Sequence, residues 1–256
     1  MLLTPDNYHS PEARSEYISS SDVKLARRCE AMWWAQNLGV YQRPENSDAF
    51  AYGHLFEEAV SGNAEAYIHD HPELTLTRGA NKGQLRAAYA DALELAGAVR
   101  RSPYLAGLID RCRKQVIFTG VLFGMPARMM ADLVDTDGSI YDFKTARDFR
   151  PVWDSDREEY REWWSVWDYP VQLWFYREIA RQNGLTVPQV GLIAGSKADM
   201  DVQALLFGPD TMQAAEADAA YTLSRMSSIR NGDEPDSCGR CEWCLSQKRI
   251  TRFEEV

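Results

Sequence analysis

The sequence predicts a mixed α/β fold, in which a central sheet is flanked by helices, with a helical N-terminal part and a cysteine-bearing C-terminal tail. Three observations carry that expectation. The residues before Arg113 read as a succession of capped helices. After Arg113 short apolar runs take over, broken by a strong turn signal, Asp135-Thr136-Asp137-Gly138. A last helix is followed by three cysteines within seven residues. With 256 residues, 45% hydrophobic and 26% charged, the chain can bury a sizeable core and is not a disordered, collagen-like or coiled-coil chain.

Taken in order, residues 1–18 are polar and expected to be irregular. The Ser19-Ser20-Ser21-Asp22 cap opens a helix to Leu38, stopped by Gly39. Residues 40–48 read as a loop. A second helix covers Asp48 to His69, weakened by Gly53 and by Ser61-Gly62. Helices follow over 80–98 and 103–113. Lys114–Thr119, Ala127–Val134 and Ser139–Lys144 read as strands, the last two forming a hairpin. Pro170 suits the first turn of a helix running to Asn183, with Gly184 as its stop. Val187–Ala194 and Val202–Phe207 are two further strands, and Pro209-Asp210 opens a helix to Arg230. The expectation is one domain over 1–256, divided into a helical part (19–113), an α/β core (114–230) and a tail (231–256).

The 28 basic and 38 acidic residues give a net charge of −10, which excludes a polybasic nucleic-acid coat but not an enzyme with a local basic strip. No apolar run approaches a membrane span, and no basic start precedes an apolar stretch, so a cytoplasmic protein without membrane contact is expected. Only six of the basic residues are lysines, so a lysine in a telling place is worth noting.

The central constellation is Asp132 on one strand and Asp142-Phe143-Lys144 on the next. Strand alternation puts Asp142 and Lys144 on one face, and the hairpin brings Asp132 beside them. Paired carboxylates suit Mg²⁺ or Mn²⁺, which can activate water and neutralise a scissile phosphate. A second Asp-x-Lys, Asp22-Val23-Lys24, opens a helix with no acid brought beside it and reads as a solvated face. In Gly53-His54-Leu55-Phe56-Glu57, the glycine allows close packing on the sheet, and Glu57 is either a third carboxylate or a surface acid. Gln172 and Tyr176 share a helix face, either to hydrogen-bond a phosphate or fix the lysine, or as an exposed Gln beside core aromatics.

Cys238-x-x-Cys241-x-x-Cys244 calls for a metal or cluster, and a closed Zn²⁺ site or a [4Fe–4S] cluster needs a fourth ligand, Cys29 or Cys112. Trp163, Trp164 and Trp167 either stack unpaired bases or, as expected, pack the segment before the Gln172 helix. Arg100, Arg101, Arg111, Arg113 and Lys114 form the densest basic strip, a phosphate track or a solvated face. His69 and His71 are expected in a loop without metal.

Together, Gly-x-x-x-Glu, then Asp, then Asp-x-Lys ten residues on, then Gln-x-x-x-Tyr resemble the PD-(D/E)XK nuclease superfamily. Within it the order resembles the RecB-type branch, with its lambda-type and RecE phage exonucleases. Residues 51–59 are similar to the first lambda-type motif, and Ser19–Leu25 with Cys29 resembles the cysteine region of iron–sulfur nucleases such as AddB and the CRISPR adaptation nucleases. The likeness spans residues 17–245. Glu57 stands where relatives often have His, and Ala131 stands where Pro usually precedes the first acid.

The resemblance implies a restriction-endonuclease-like sheet core. It implies a metal held by Asp132, Asp142 and the Phe143 carbonyl, with Glu57 completing the site and His54 a neighbour. Lys144 would position the attacking water, and Gln172 and Tyr176 would contact substrate or support Lys144. Cys29, Cys238, Cys241 and Cys244 would hold a [4Fe–4S] cluster, with Zn²⁺ the alternative, and staple the first helix to the tail. The implied activity is a Mg²⁺-dependent phage-type exonuclease digesting linear duplex ends, 5′-to-3′, for recombination by strand annealing. A RecT-like or Redβ-like annealing partner and a homo-oligomer go with it. A single-strand, CRISPR-adaptation-like or repair nuclease is the enzyme alternative, and a degenerate DNA-binding or assembly subunit the non-enzyme one.

Overall fold

The computed structural model describes residues 1–42, 47–155 and 157–250. Of the loop expected over 40–48, residues 43–46 lie outside the described residues, as do residues 251–256 of the tail. The helices are α1 (Pro11–Glu16), α2 (Ser20–Arg28), α3 (Glu30–Asn37), α4 (Ser47–Ser61), α5 (Ala64–Asp70), α6 (Ala87–Arg100), α7 (Pro103–Arg111), α8 (Trp163–Val166), α9 (Tyr169–Gln182), α10 (Pro209–Arg230) and α11 (Glu242–Gln247). The strands are β1 (Arg113–Leu122), β2 (Met125–Val134), β3 (Ile140–Ala146), β4 (Val152–Asp154), β5 (Glu159–Arg161), β6 (Val190–Ser196) and β7 (Val202–Leu206).

One five-stranded mixed sheet has the order β1-β2-β3-β6-β7, and β4 pairs with β5 in a separate ribbon. Within the large sheet only β3 and β6 run parallel, because the connection between them carries α9 across a face. The expected mixed α/β class is the one observed.

Apolar packing sits on both faces of the sheet. Helix α9 lies across β1, β2, β3 and β6, backed by α10 and α2. Leu173, Phe175 and Ile179 of α9 are fully buried, each contributing roughly 1.5–3 kcal/mol of burial. On the other core, α4 and α6 pack on β3, β6 and β7 through Leu55, Phe56, Leu95 and Phe143. Such three-layer burial explains why β6 is buried along its whole length rather than on alternate residues.

Several boundaries differ from expectation for local reasons. The first eighteen residues are not wholly irregular: Ser10 caps α1, and Ile18 bridges to Ala127. The helix expected to run unbroken to Leu38 breaks at Cys29, whose extended backbone lets its sulfur accept the Met32 N–H at the start of α3. Gly62, at φ +90, ends α4, so the helix expected to reach His69 is two helices. The helix expected from residue 80 begins only at Ala87, because a Thr75–Leu85 bridge holds the chain before it. The strand ending at Thr119 in the sequence reading continues to Leu122 and turns at Phe123-Gly124. Both turn residues have positive φ, which a two-residue hairpin demands.

Candidate active site

The hairpin of β2 and β3 is open where the acids lie. Its ladder holds only Leu133 opposite Tyr141 and Val134 opposite Ile140. The next step would set Asp132 against Asp142, and there the backbone pairing stops. Instead the Asp132 carboxylate accepts the Phe143 N–H at 2.7 Å. Two carboxylates on facing strands repel, and a side chain takes over the strand's hydrogen bond. On the far side of β2, Gln115 of β1 takes φ +49, a strained value for a non-glycine residue, between the pairs Lys114–Leu133 and Val116–Ala131. The sheet is therefore distorted on both sides of Asp132.

Asp142 is almost fully buried. It is ion-paired with Lys144, whose ammonium also donates to the Phe143 carbonyl at 3.0 Å. Burial opposes the Lys144 charge, but Asp142 and Asp132 outweigh it and hold the ammonium protonated beyond its usual range. For Asp132, burial and then the charges of Asp142 and Glu57 push the carboxyl well above the ordinary carboxylate range. Glu57, on α4, is pushed up to about 7 by burial and by Asp142, against the opposing pull of Lys144. These mutual effects place Glu57, Asp132, Asp142 and Lys144 in one electrostatic unit.

Three crowded acids are the hard-oxygen donors that a divalent cation takes, and such an ion would offset the repulsion that raises the Asp132 and Glu57 carboxyls. The residues that could hold it are Glu57, Asp132, Asp142 and the Phe143 carbonyl. His54 lies one turn before Glu57 and is exposed. Gly53 faces β3, where an added Cβ would stand 3.9 Å from Thr145 Oγ1, an ordinary contact.

Gln172 is buried, not exposed, and reaches the acids from α9. Its Nε2 donates to Asp142 Oδ1 at 3.1 Å and faces Tyr176 Oη at 3.2 Å. Burial and the Asp142 charge push the Tyr176 hydroxyl well above its usual value. The i, i+4 relation thus joins both side chains to Asp142.

The same amide brings a second lysine to the site. Lys24 does not lie on a solvated face, as its helix-opening position predicts, but donates to Gln172 Oε1 at 2.8 Å. Its ammonium lies 5.0 Å from the Tyr169 ring centroid, and Lys144 lies 5.5 Å from the same ring. Burial and the Lys144 charge push Lys24 down to about 7, with Asp142 acting in the opposite sense. The capping box of Ser19 and Asp22 starts α2 so that Lys24 points at α9. The signal present in the sequence was the scarcity of lysine; the pairing of α2 with α9 was not visible.

Of the two candidates for a fourth thiol, the structure brings Cys29 to the tail. The sulfurs of Cys29, Cys238, Cys241 and Cys244 all lie within 4.8 Å of one another. Cys29 is 3.5 Å from Cys244 and 3.7 Å from Cys241, and Cys238 is 3.8 Å from Cys244. Backbone N–H groups of Met32, Cys241 and Cys244 point at three of these sulfurs. Burial opposes ionisation of Cys244, but the Ser237 hydroxyl at 2.9 Å and its other donors bring that thiol down to about 6. Cys112 lies in the other core, where burial pushes it up to about 11, as suits a small apolar residue.

Trp163 is buried against Phe149 and Tyr169, and Trp164 packs on Phe207, as expected. Trp167 is 47% exposed under the Arg28 guanidinium. In the basic strip, Arg100 is paired with Asp110, Arg111 with Asp135, and Lys114 donates to the Ser61 carbonyl, so these three already have protein partners. His69, on α5, pairs with Asp70, and His71 pairs with Glu73. Among the described residues no helix is long and apolar enough to cross a membrane.

Residues 19–247 match a family model described as a PDDEXK-like domain of unknown function. No curated protein matches the chain. Among solved structures, a candidate exonuclease from Eubacterium rectale superposes with a TM-score of 0.84 at 26% identity, over 100% of this chain and 97% of that one. The solved structure of SSO0001 overlaps 88% of this chain and 93% of its own at 12% identity, with a TM-score of 0.32, below the level of a shared fold.

Proposed function

This chain belongs to the family of PDDEXK-like domains, and from that premise we propose that it is a metal-dependent deoxyribonuclease that digests linear double-stranded DNA from its ends. The convergence of Glu57, Asp132 and Asp142 on Lys144 at the opened β2–β3 hairpin carries the reading. The Eubacterium rectale neighbour, described as a candidate exonuclease, supports end-directed cleavage.

Bound Mg²⁺ or Mn²⁺ would supply a polarised water and neutralise charge on the scissile phosphate. Glu57, Asp132, Asp142 and the Phe143 carbonyl would hold it. Lys144, between Asp142 and the Phe143 carbonyl, orients the attacking water and faces the developing negative charge. Gln172 fixes the Asp142 carboxylate from behind, and Tyr176 fixes Gln172. Buried polar groups that lock one another in this way keep the reacting atoms in register.

The four thiols are proposed as a structural metal site tying α2 and α3 to the tail. Three sulfur pairs are 3.5–3.8 Å apart and all four sulfurs lie within 4.8 Å of one another, close to the roughly 3.8 Å that metal–sulfur bonds of about 2.3 Å set between ligands of one tetrahedral ion. A four-iron cube holds its cysteine sulfurs farther apart. The spacing thus favours Zn²⁺ over the [4Fe–4S] cluster that the sequence resemblance implies. We extend the functional reading to 5′-to-3′ resection for recombination by strand annealing, with a RecT-like partner and a homo-oligomeric enzyme.

The test is cleavage of end-labelled linear duplex beside a closed circle, with Mg²⁺ and then with EDTA. Metal-dependent loss of the linear DNA alone is expected, and the label reports polarity. Intact linear DNA under all conditions would refute the reading.

A further inference from the structure

Two lysines stand at the site, and among the described residues only one has an acid as ion-pair partner. Lys144 is paired with Asp142. Lys24 rests on a neutral amide oxygen and an aromatic face. The nearby carboxylate of Asp168 is paired instead with Arg27. A half-buried cation with no acid in direct contact lowers stability unless an anion arrives to meet it.

Charge at the site says what that anion is. Lys144 is matched by Asp142, whereas Lys24 has no acid on it, and its one positive charge is the charge that one phosphodiester of a strand would meet. Position says where the anion lies. Gln172 holds Asp142 with one end of its amide and Lys24 with the other, so Lys24 stands one amide-length from the carboxylate paired with Lys144. The Tyr169 ring lies against both ammonium groups.

Resting on the nuclease reading, we propose that Lys24 binds a phosphate of the DNA strand adjacent to the one being cut, and so sets the register of the strand over the acids. Gln172 then links the two events, since strand binding at Lys24 and orientation of Asp142 share one side chain.

The experiment measures binding of a short duplex in Ca²⁺, which supports binding without turnover, by anisotropy across a salt series. Wild type, Lys24→Met and Lys24→Arg are compared, together with their thermal unfolding. Lys24→Met should weaken binding about tenfold and reduce the slope of log affinity against log salt by about 0.9, the loss of one phosphate contact. Lys24→Arg should keep the slope. The melting temperature of Lys24→Met should equal or exceed that of wild type, because an unpaired half-buried charge is gone. A duplex with one neutral methylphosphonate linkage, moved along the strand, should at one position weaken wild type but not Lys24→Met. If wild type binds DNA and Lys24→Met keeps the wild-type slope, Lys24 is a prop for Gln172 and the proposal is overturned. Failure of wild type itself to bind DNA would overturn the nuclease reading, and this inference with it.

Discussion

Replacing Glu57 by Gln should make the metal-free protein more stable at high pH. Burial and the Asp142 charge raise the Glu57 carboxyl from 4.5 to about 7. The folded chain therefore binds that proton more tightly than the unfolded chain. Stability is full below about pH 4.5 and falls as the pH rises through 7, because only the folded state must then create the crowded charge. At about 1.4 kcal/mol per pH unit, the loss by pH 8 is about 3 kcal/mol. Gln keeps the shape and the acceptor oxygen and has no charge to create. It also relieves Asp132, whose carboxyl Glu57 helps to raise. In EDTA at pH 8, Glu57→Gln should melt roughly 6–12 °C above wild type, given about 2–4 °C per kcal/mol for a chain of this size. At pH 4.5 the two should coincide within about 2 °C, since wild type then carries the proton. Adding Mg²⁺ at pH 8 should raise wild type more than the variant, as one carboxylate fewer binds the ion. The assay is thermal unfolding by circular dichroism at the two pH values. Equal melting temperatures in EDTA at pH 8 would refute the claim that Glu57 shares the pocket of Asp132 and Asp142.

Three further outcomes are expected. Lys144→Ala should slow cleavage of linear duplex by on the order of 10²–10⁴ while far-ultraviolet circular dichroism stays unchanged; near-normal cleavage would remove Lys144 from the mechanism. Two glycines should respond oppositely to Ala: at Gly191 a Cβ would run into the Leu205 carbonyl oxygen, costing roughly 1–3 kcal/mol in urea unfolding. At Gly53, on a helix where an added Cβ would make only an ordinary contact with Thr145, Ala should stabilise by about 0.5–1 kcal/mol, and a loss there would show that the helix is closer to the sheet than described. Cys29→Ser should strip metal from the tail site; elemental analysis of wild type should find one zinc per chain, and four iron atoms with visible absorption would overturn the single-ion reading.

Much of this protein is local and was legible without coordinates. The Asp135–Gly138 turn, the Pro170 start of α9 and the Gly184 stop depend on residues next to one another, so they read directly from the chain. Asp132, Asp142 and Lys144 were also legible, because a hairpin with a short turn sets facing residues by counting. The break at Cys29 was not, because nothing in the helical pattern around it says that its sulfur is needed elsewhere. Lys24 was misjudged for the same reason. Its partner Gln172 is 148 residues away, and the cap that aims it gives no sign of what it aims at. Gln172 is drawn to the site by the resemblance, but its own neighbours fit an exposed amide equally well, and only the fold buries it against an acid.

The sequence by itself determined the α/β class, the donor types and their order along the chain, since helix caps, turn residues and side-chain periodicity act over a few residues. The tertiary structure alone decided that β2 and β3 part at Asp132, that Cys29 and not Cys112 joins the tail thiols, and that a second lysine enters the site. Each of these depends on packing between distant segments, where burial and charge act through space and leave no period in the sequence.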